Sequence, residues 1–121
     1  MRGKILVVDD DTLSRRNISR FLRGEGYDVD EADNGNEAAQ SIEAHVFDLV
    51  LADLIMTKGN GLELLKRARS VAPDTRVLIM SGFPIDRAEL VKLGASGVIG
   101  KPFGLGELLL QIKGALGSRN A

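Results

Sequence analysis

The chain has 121 residues, 44% of them hydrophobic, enough for one core and too few for a second folded domain. Its 16 basic and 17 acidic residues leave a net charge of -1, and no run of lysine or arginine offers a nucleic-acid footprint, so direct nucleic-acid contact is not expected. Cysteine is absent, which removes disulfides and thiolate metal sites, and no apolar run approaches the ~20 residues that cross a bilayer, so a cytoplasmic protein without membrane contact is expected.

Ile5-Leu6-Val7-Val8 is a short, uniformly apolar run halted by Asp9-Asp10-Asp11, the pattern of a strand buried on both faces with acids at its carboxyl end. From Thr12 to about Arg23, Ile18, Phe21 and Leu22 mark the core face of a helix. Arg15, Arg16, Arg20 and Arg23 read as polar surface, and Asp11 or Thr12 can cap the helix. Gly24-Glu25-Gly26 ends it, Tyr27 to Ala32 alternates as a half-exposed edge strand, and Asn34-Gly35 reads as a turn. Glu37 to about Ala44 carries Ala38, Ala39 and Ile42 at helical spacing.

Leu49 to Ala52 is a second uninterrupted apolar run, closed by Asp53 and followed by a loop containing Gly59, Asn60 and Gly61. Leu62, Leu65, Ala68 and Val71 define a third helix, which Pro73-Asp74 breaks. Val77 to Met80 is the next buried strand, ending at Ser81-Gly82, and a helix from Ile85 to Leu93 follows Pro84 and stops at Gly94. Gly97 to Gly100 is a short fifth strand ending at Lys101-Pro102. The final helix, Leu105 to Leu116, turns Leu105, Leu108, Leu109, Ile112 and Leu116 to the core, sets Leu110 roughly opposite, and has Gly117 as its stop.

Five strand–helix alternations call for an α/β protein: a doubly wound, five-stranded parallel sheet in the order 2-1-3-4-5 with five helices on its two faces. The switch point falls between the first and third strands, and Asp9, Asp10 and Asp53 end those two. The domain is expected to run from 4 to 117, with 118–121 a tail or the start of a linker, and Met1 favours a native amino terminus.

All five strand-end polar residues, Asp9, Asp10, Asp53, Ser81 and Lys101, fall on one edge of that sheet. Close carboxylates repel by several kcal/mol, and a bound cation resolves the conflict. With only hard oxygens as ligands, the choice falls on Mg²⁺ or Mn²⁺. An ammonium and a hydroxyl beside such an ion make a phosphoryl site with Asp53 as nucleophile. The plain alternative is that Asp53 only caps its strand or pairs with a lysine.

Leu6-Val7-Val8-Asp9-Asp10, Asp53-Leu54-Ile55-Met56 with Gly61 beyond, Ser81-Gly82, and Gly94-Ala95-Ser96-Gly97 leading to Lys101-Pro102-Phe103 together resemble the receiver domain of two-component response regulators. The resemblance covers Lys4 to about Leu116 and implies the flavodoxin-like receiver fold. It implies that Asp53 accepts a phosphoryl group from a sensor histidine kinase or histidine phosphotransfer protein. It also implies Mg²⁺ held by Asp10, Asp53 and the backbone carbonyl of Ile55, with Asp9 acting largely through water. By the same resemblance Ser81 and Lys101 bind phosphoryl oxygens, the Lys101-Pro102 bond is cis, and the last helix and its neighbours meet an effector or a second copy, with Leu110 a candidate contact. Such a chain is a phosphoacceptor with at most slow autodephosphorylation, not a turnover enzyme.

Thr57 and Val98 depart from the family's usual pattern, and Ile55 and Phe83 fall at positions that in the family flank the phosphoryl group. Thr57 stands where proline is common, which predicts a less rigid loop after Asp53. Val98 replaces a switching aromatic, so either the loop from Gly82 to Pro84 carries the change or coupling to the outer face is weak. Ile55 and Phe83 give the phosphoryl site an apolar rim, which predicts slow hydrolysis; simple packing is the alternative. His45 has no histidine partner and reads as surface, and Phe103 packs beside the Lys101-Pro102 turn.

A phosphatase of the haloacid dehalogenase type uses similar residues, but Asp9-Asp10-Asp11-Thr12-Leu13 lacks its glycine and no acidic pair follows Lys101. A receiver fold acting as a phosphorylation-independent interaction module would not need all five polar residues. No glycine-rich turn follows the first strand, which argues against a dinucleotide site.

Overall fold

The computed structural model describes residues 3–82 and 87–117. Five parallel strands, β1 (Lys4–Val8), β2 (Asp28–Ala32), β3 (Leu49–Asp53), β4 (Arg76–Ser81) and β5 (Gly97–Gly100), form one sheet in the order β2-β1-β3-β4-β5. Between them run α1 (Thr12–Gly24), α2 (Gly35–Ala44), α3 (Gly61–Val71), α4 (Arg87–Lys92) and α5 (Leu105–Gly117). The architecture and strand order expected from the sequence are those observed, and the flavodoxin-like fold is established.

Side chains alternate across each strand, so one run of apolar residues feeds two cores. Leu6, Val8, Val50, Ala52, Val77, Ile79 and Val98 lie on one face, with Ala38 and Ile42 of α2, Leu64, Leu65 and Ala68 of α3, and Leu90 of α4. Ile5, Val7, Leu49, Leu51, Leu78, Met80 and Ile99 fill the other, against Ile18 and Leu22 of α1 and Leu108 and Ile112 of α5. The continuous apolar strands therefore reflect coverage by helices on both sides. Phe47 and Tyr27 join these cores from positions just before β3 and β2, where no periodicity marks them.

Several local readings change. Asn34-Gly35 is no free-standing turn: Asn34 caps α2 by accepting the Glu37 N–H at 2.8 Å, and Gly35 is already helical. Asn60 starts α3 the same way, accepting the Glu63 N–H at 2.8 Å. At α1, Asp11 is the cap, accepting from the N–H groups of Leu13 and Ser14. The edge strand begins at Asp28, leaving Tyr27 to plug the core from the preceding turn. In α5 only Leu108 and Ile112 are fully buried, Leu105 is exposed at the helix start, and Gly117 is the last helical residue. Phe21 is half-buried against the core rather than within it. The beginning of the fourth helix, expected at Ile85, lies outside the described residues.

The register fixes the site. Val8 pairs with Ala52, so the residues that follow, Asp9 and Asp53, emerge level with one another. Asp53 pairs with Met80 and Ser81 with Gly100, which brings Ser81 and Lys101 to the same carboxyl edge.

Candidate functional site

Asp9, Asp10 and Asp53 each offer a carboxylate oxygen to one cluster in which the three atoms lie within 4.8 Å of one another. Lys101 reaches in from the end of β5, its Nζ 2.8 Å from Asp53 Oδ2 and 3.8 Å from Asp9 Oδ2. Ser81, buried at the end of β4, lines a cleft of about 220 Å³ together with Asp53, Leu54, Ile55, Gly82 and Lys101. All five strand-end residues singled out in the sequence thus meet at one place. The plain alternative for Asp53 is half correct: it does pair with a lysine, but as one of three clustered acids.

The electrostatics are unbalanced. Asp9 is fully buried and, although its Oδ1 accepts the Asp11 N–H at 2.9 Å, its Oδ2 has no hydrogen-bond partner among the described residues. Desolvation raises the Asp9 pKa above the ordinary carboxylate value, against the opposing pull of the Asp11 N–H and the Lys101 charge. Asp10 moves the other way, because the Thr57 hydroxyl and then the Thr57 N–H stabilise its charged form. Burial works against the Lys101 ammonium, but its hydrogen bond to Asp53 and the charges of Asp53 and Asp9 prevail, so its pKa stands above the usual range. A site with three carboxylates, one ammonium and a buried oxygen left without a donor fits a small, hard divalent cation.

This imbalance predicts a stabilising substitution. With its folded-state pKa raised above 3.8, Asp9 binds more protons in the folded chain than in the unfolded one over the window just above that value. Stability therefore falls as pH rises through the window, and at neutral pH the desolvated charge costs free energy that Lys101 and the Asp11 N–H offset only in part. Asp9→Asn keeps the oxygen that accepts the Asp11 N–H and removes the charge. In metal-free buffer at neutral pH it should raise unfolding stability by about 1 kcal/mol, within the range common for relaxing a strained site, and flatten the acid-side pH dependence. Urea titrations at several pH values read both; equal or lower stability would contradict the account.

Three features escaped the sequence. Arg15, assigned to polar surface, is half-buried: its Nη1 donates to the Asp9 carbonyl at 2.9 Å and its Nε to Glu31 at 3.0 Å, bracing the turn after β1. Thr57, expected to loosen its loop, sends its N–H and its hydroxyl to Asp10 Oδ2 at 2.9 and 2.7 Å. Gly61 sits directly on the Asp53 carbonyl, where a Cβ would come within 2.5 Å. Each depends on how distant segments meet, which periodicity does not encode.

The Lys101-Pro102 bond is cis. Val98 is buried beneath α4, and its carbonyl accepts from Arg87. Phe83 and Pro84, and with them most of the loop alternative for the switch, lie outside the described residues. His45 is exposed, Leu110 is 73% exposed, and Phe103 packs partly buried against the α1/α5 core. Among the described residues no helix is long and apolar enough to cross a membrane.

A profile of the response regulator receiver domain matches residues 5–113. Over 115 residues the chain is 41% identical to the transcriptional regulatory protein CpxR homolog of Haemophilus influenzae, a match covering 94% of this chain and 50% of that protein. The chain therefore spans half the length of this curated relative. Among solved structures, a CheY-like response regulator receiver domain protein from Methanospirillum hungatei aligns with a TM-score of 0.91 at 31% identity, covering 97% of this chain and 95% of that one. The response regulator TrrA from Thermotoga maritima, solved in complex with Mg(2+)-BeF, aligns with a TM-score of 0.85 at 32% identity, covering 93% of this chain and 98% of that one.

Proposed function

Because this chain belongs to the response regulator receiver domain family of two-component systems, we propose that it accepts a phosphoryl group on Asp53 from a sensor histidine kinase or a histidine phosphotransfer protein. The observation that carries this reading is the shared cleft of Asp53, Ser81 and Lys101 beside the Asp9–Asp10–Asp53 cluster. The functional unit runs from 4 to 117 and works in the cytoplasm.

Asp10, Asp53 and the backbone carbonyl of Ile55 would hold Mg²⁺, or Mn²⁺ in its place, with Asp9 engaged largely through water. When bound, the ion neutralises negative charge on the phosphoryl oxygens and on the carboxylates. Lys101 holds one oxygen of Asp53 at 2.8 Å and so orients the carboxylate. An Asp53 oxygen attacks phosphorus in line; the bond from phosphorus to the donor's imidazole nitrogen breaks, and its electron pair leaves with the nitrogen. The product is an acyl phosphate on Asp53. Lys101 can then transfer its donors to the new anion, and the Ser81 hydroxyl can donate to a further oxygen. The changed charge at this edge is passed to a partner, an effector or a second copy, through α5 and its neighbours, where Leu110 stands exposed.

Ile55 borders the cleft and is 56% exposed, so an apolar side chain lies where attacking water must approach. The acyl phosphate should be long-lived for this reason. Ile55→Asn should shorten its lifetime about two- to tenfold, the worth of one hydrogen bond to the incoming water. An unchanged lifetime would mean that Ile55 merely packs. The proposed function itself is tested by incubating the chain with acetyl phosphate and magnesium and weighing the product. One hydroxylamine-labile phosphoryl adduct is expected, and its absence would refute the assignment.

A further inference from the structure

We infer that Thr57 is a positioning residue for the divalent-cation site, holding the Asp10 carboxylate in the orientation the ion requires. The inference rests on the metal-site part of the proposed function and assigns a role to a residue outside the ligand set.

Asp10 follows Asp9 at the exposed end of β1 and belongs to no strand, so neither packing nor the sheet ladder fixes its side chain. What holds it comes from 47 residues away. The Thr57 N–H and hydroxyl converge on the same oxygen, Asp10 Oδ2, at 2.9 and 2.7 Å. Thr57 is itself anchored by its neighbour, since Met56 is buried in the α2/α3 core. The loop after β3 therefore reaches back and clamps the residue after β1, joining the two strands that supply the acids.

These bonds assist the ion instead of competing with it. With Asp10 already bonded to Thr57, the three carboxylate oxygens lie within 4.8 Å of one another. Opposite ligands of Mg²⁺ stand about 4.2 Å apart, twice the metal–oxygen distance, so little movement is needed to close the site. An oxygen loaded with two donors leaves the other oxygen of the carboxylate to ligate, which favours attachment through a single atom. Mg²⁺ needs a rigid, small shell of this kind. Asp9 Oδ2, buried at the same place with no hydrogen-bond donor among the described residues and Lys101 Nζ no closer than 3.8 Å, is an independent sign that the cluster is built for a cation.

Partners of metal ligands typically contribute about 10–100-fold to metal affinity. Thr57→Val keeps the N–H and the shape but loses the hydroxyl; Thr57→Ser keeps both donors. Magnesium titrations of the full chain, followed by calorimetry and by the Asp10 amide resonance, should show the Thr57→Val variant binding about tenfold more weakly and the Thr57→Ser variant within about twofold of wild type. Metal-free melting temperatures of the two variants should agree, which separates positioning from folding. Equal or tighter magnesium binding by Thr57→Val, or equal weakening by Thr57→Ser, would overturn the inference while leaving the proposed function intact. A wild-type chain that takes up no magnesium would overturn both.

Discussion

Asp53→Asn is expected to carry no phosphoryl group under conditions that label the wild-type chain fully. The amide oxygen is a far weaker nucleophile than a carboxylate, and no other acid in the cluster is placed to replace it. Asp10 has one oxygen held by both donors of Thr57, and Asp9 is buried to the point of zero exposure. The fold should survive, because Asp53 lies at the very end of β3 and its side chain is 13% exposed. The measurement is intact-protein mass after acetyl phosphate and magnesium, with circular dichroism to confirm folding. A residual adduct of wild-type extent would move the acceptor elsewhere and remove the basis for every role assigned around it.

Gly61→Ala should damage stability and phosphorylation together. A Cβ at this position would stand 2.5 Å from the Asp53 carbonyl oxygen, 2.9 Å from Leu54 Cα and 3.1 Å from the Asp53 carbonyl carbon. All three are backbone atoms, so no side chain can swing aside. The Gly61 N–H also donates to the Leu54 carbonyl at 2.8 Å, which ties the first residue of α3 to the strand end. Relief requires α3 to lift or the end of β3 to shift, at about 1–3 kcal/mol or more. Either movement displaces the carboxylate, and a misplacement of roughly 1 Å can cost about a hundredfold in rate. Gly114→Ala in α5 is the control: among the described residues nothing lies within 4 Å of its added Cβ, and helix propensity favours alanine by about 1 kcal/mol. Urea unfolding and initial phosphorylation rates read the pair. A Gly61→Ala protein as stable and as active as wild type would show that the contact is not tight.

The sheet and the site were legible for the same reason. Each buried strand is a clean apolar run, and each run ends on a polar residue, so the parallel register carries Asp9, Asp53, Ser81 and Lys101 to one edge without further instruction. What stayed hidden were contacts made across loops. Asn34 as a cap and Asn34-Gly35 as a turn share one sequence signature, and only the Glu37 N–H decides between them. Arg15 looked like one of four surface arginines, yet it is drawn in toward the strand ends, where Glu31 and the Asp9 carbonyl receive it. The absence of proline at Thr57 was visible, but not what stands in its place: the residue brings two donors that proline lacks, and both find Asp10. Phe47 and Tyr27 lie in connections, where hydrophobic spacing carries no period.

The parallel register also ties competence to completeness. Asp9 and Asp10 follow the first strand and Lys101 the last, with Asp53 and Ser81 in between, so the site as a whole draws on residues spread over most of the chain. A proteolytic fragment ending before the fifth strand lacks Lys101 and should lose the site. A nascent chain on the ribosome should likewise stay silent to its phosphodonor until that strand has emerged and docked.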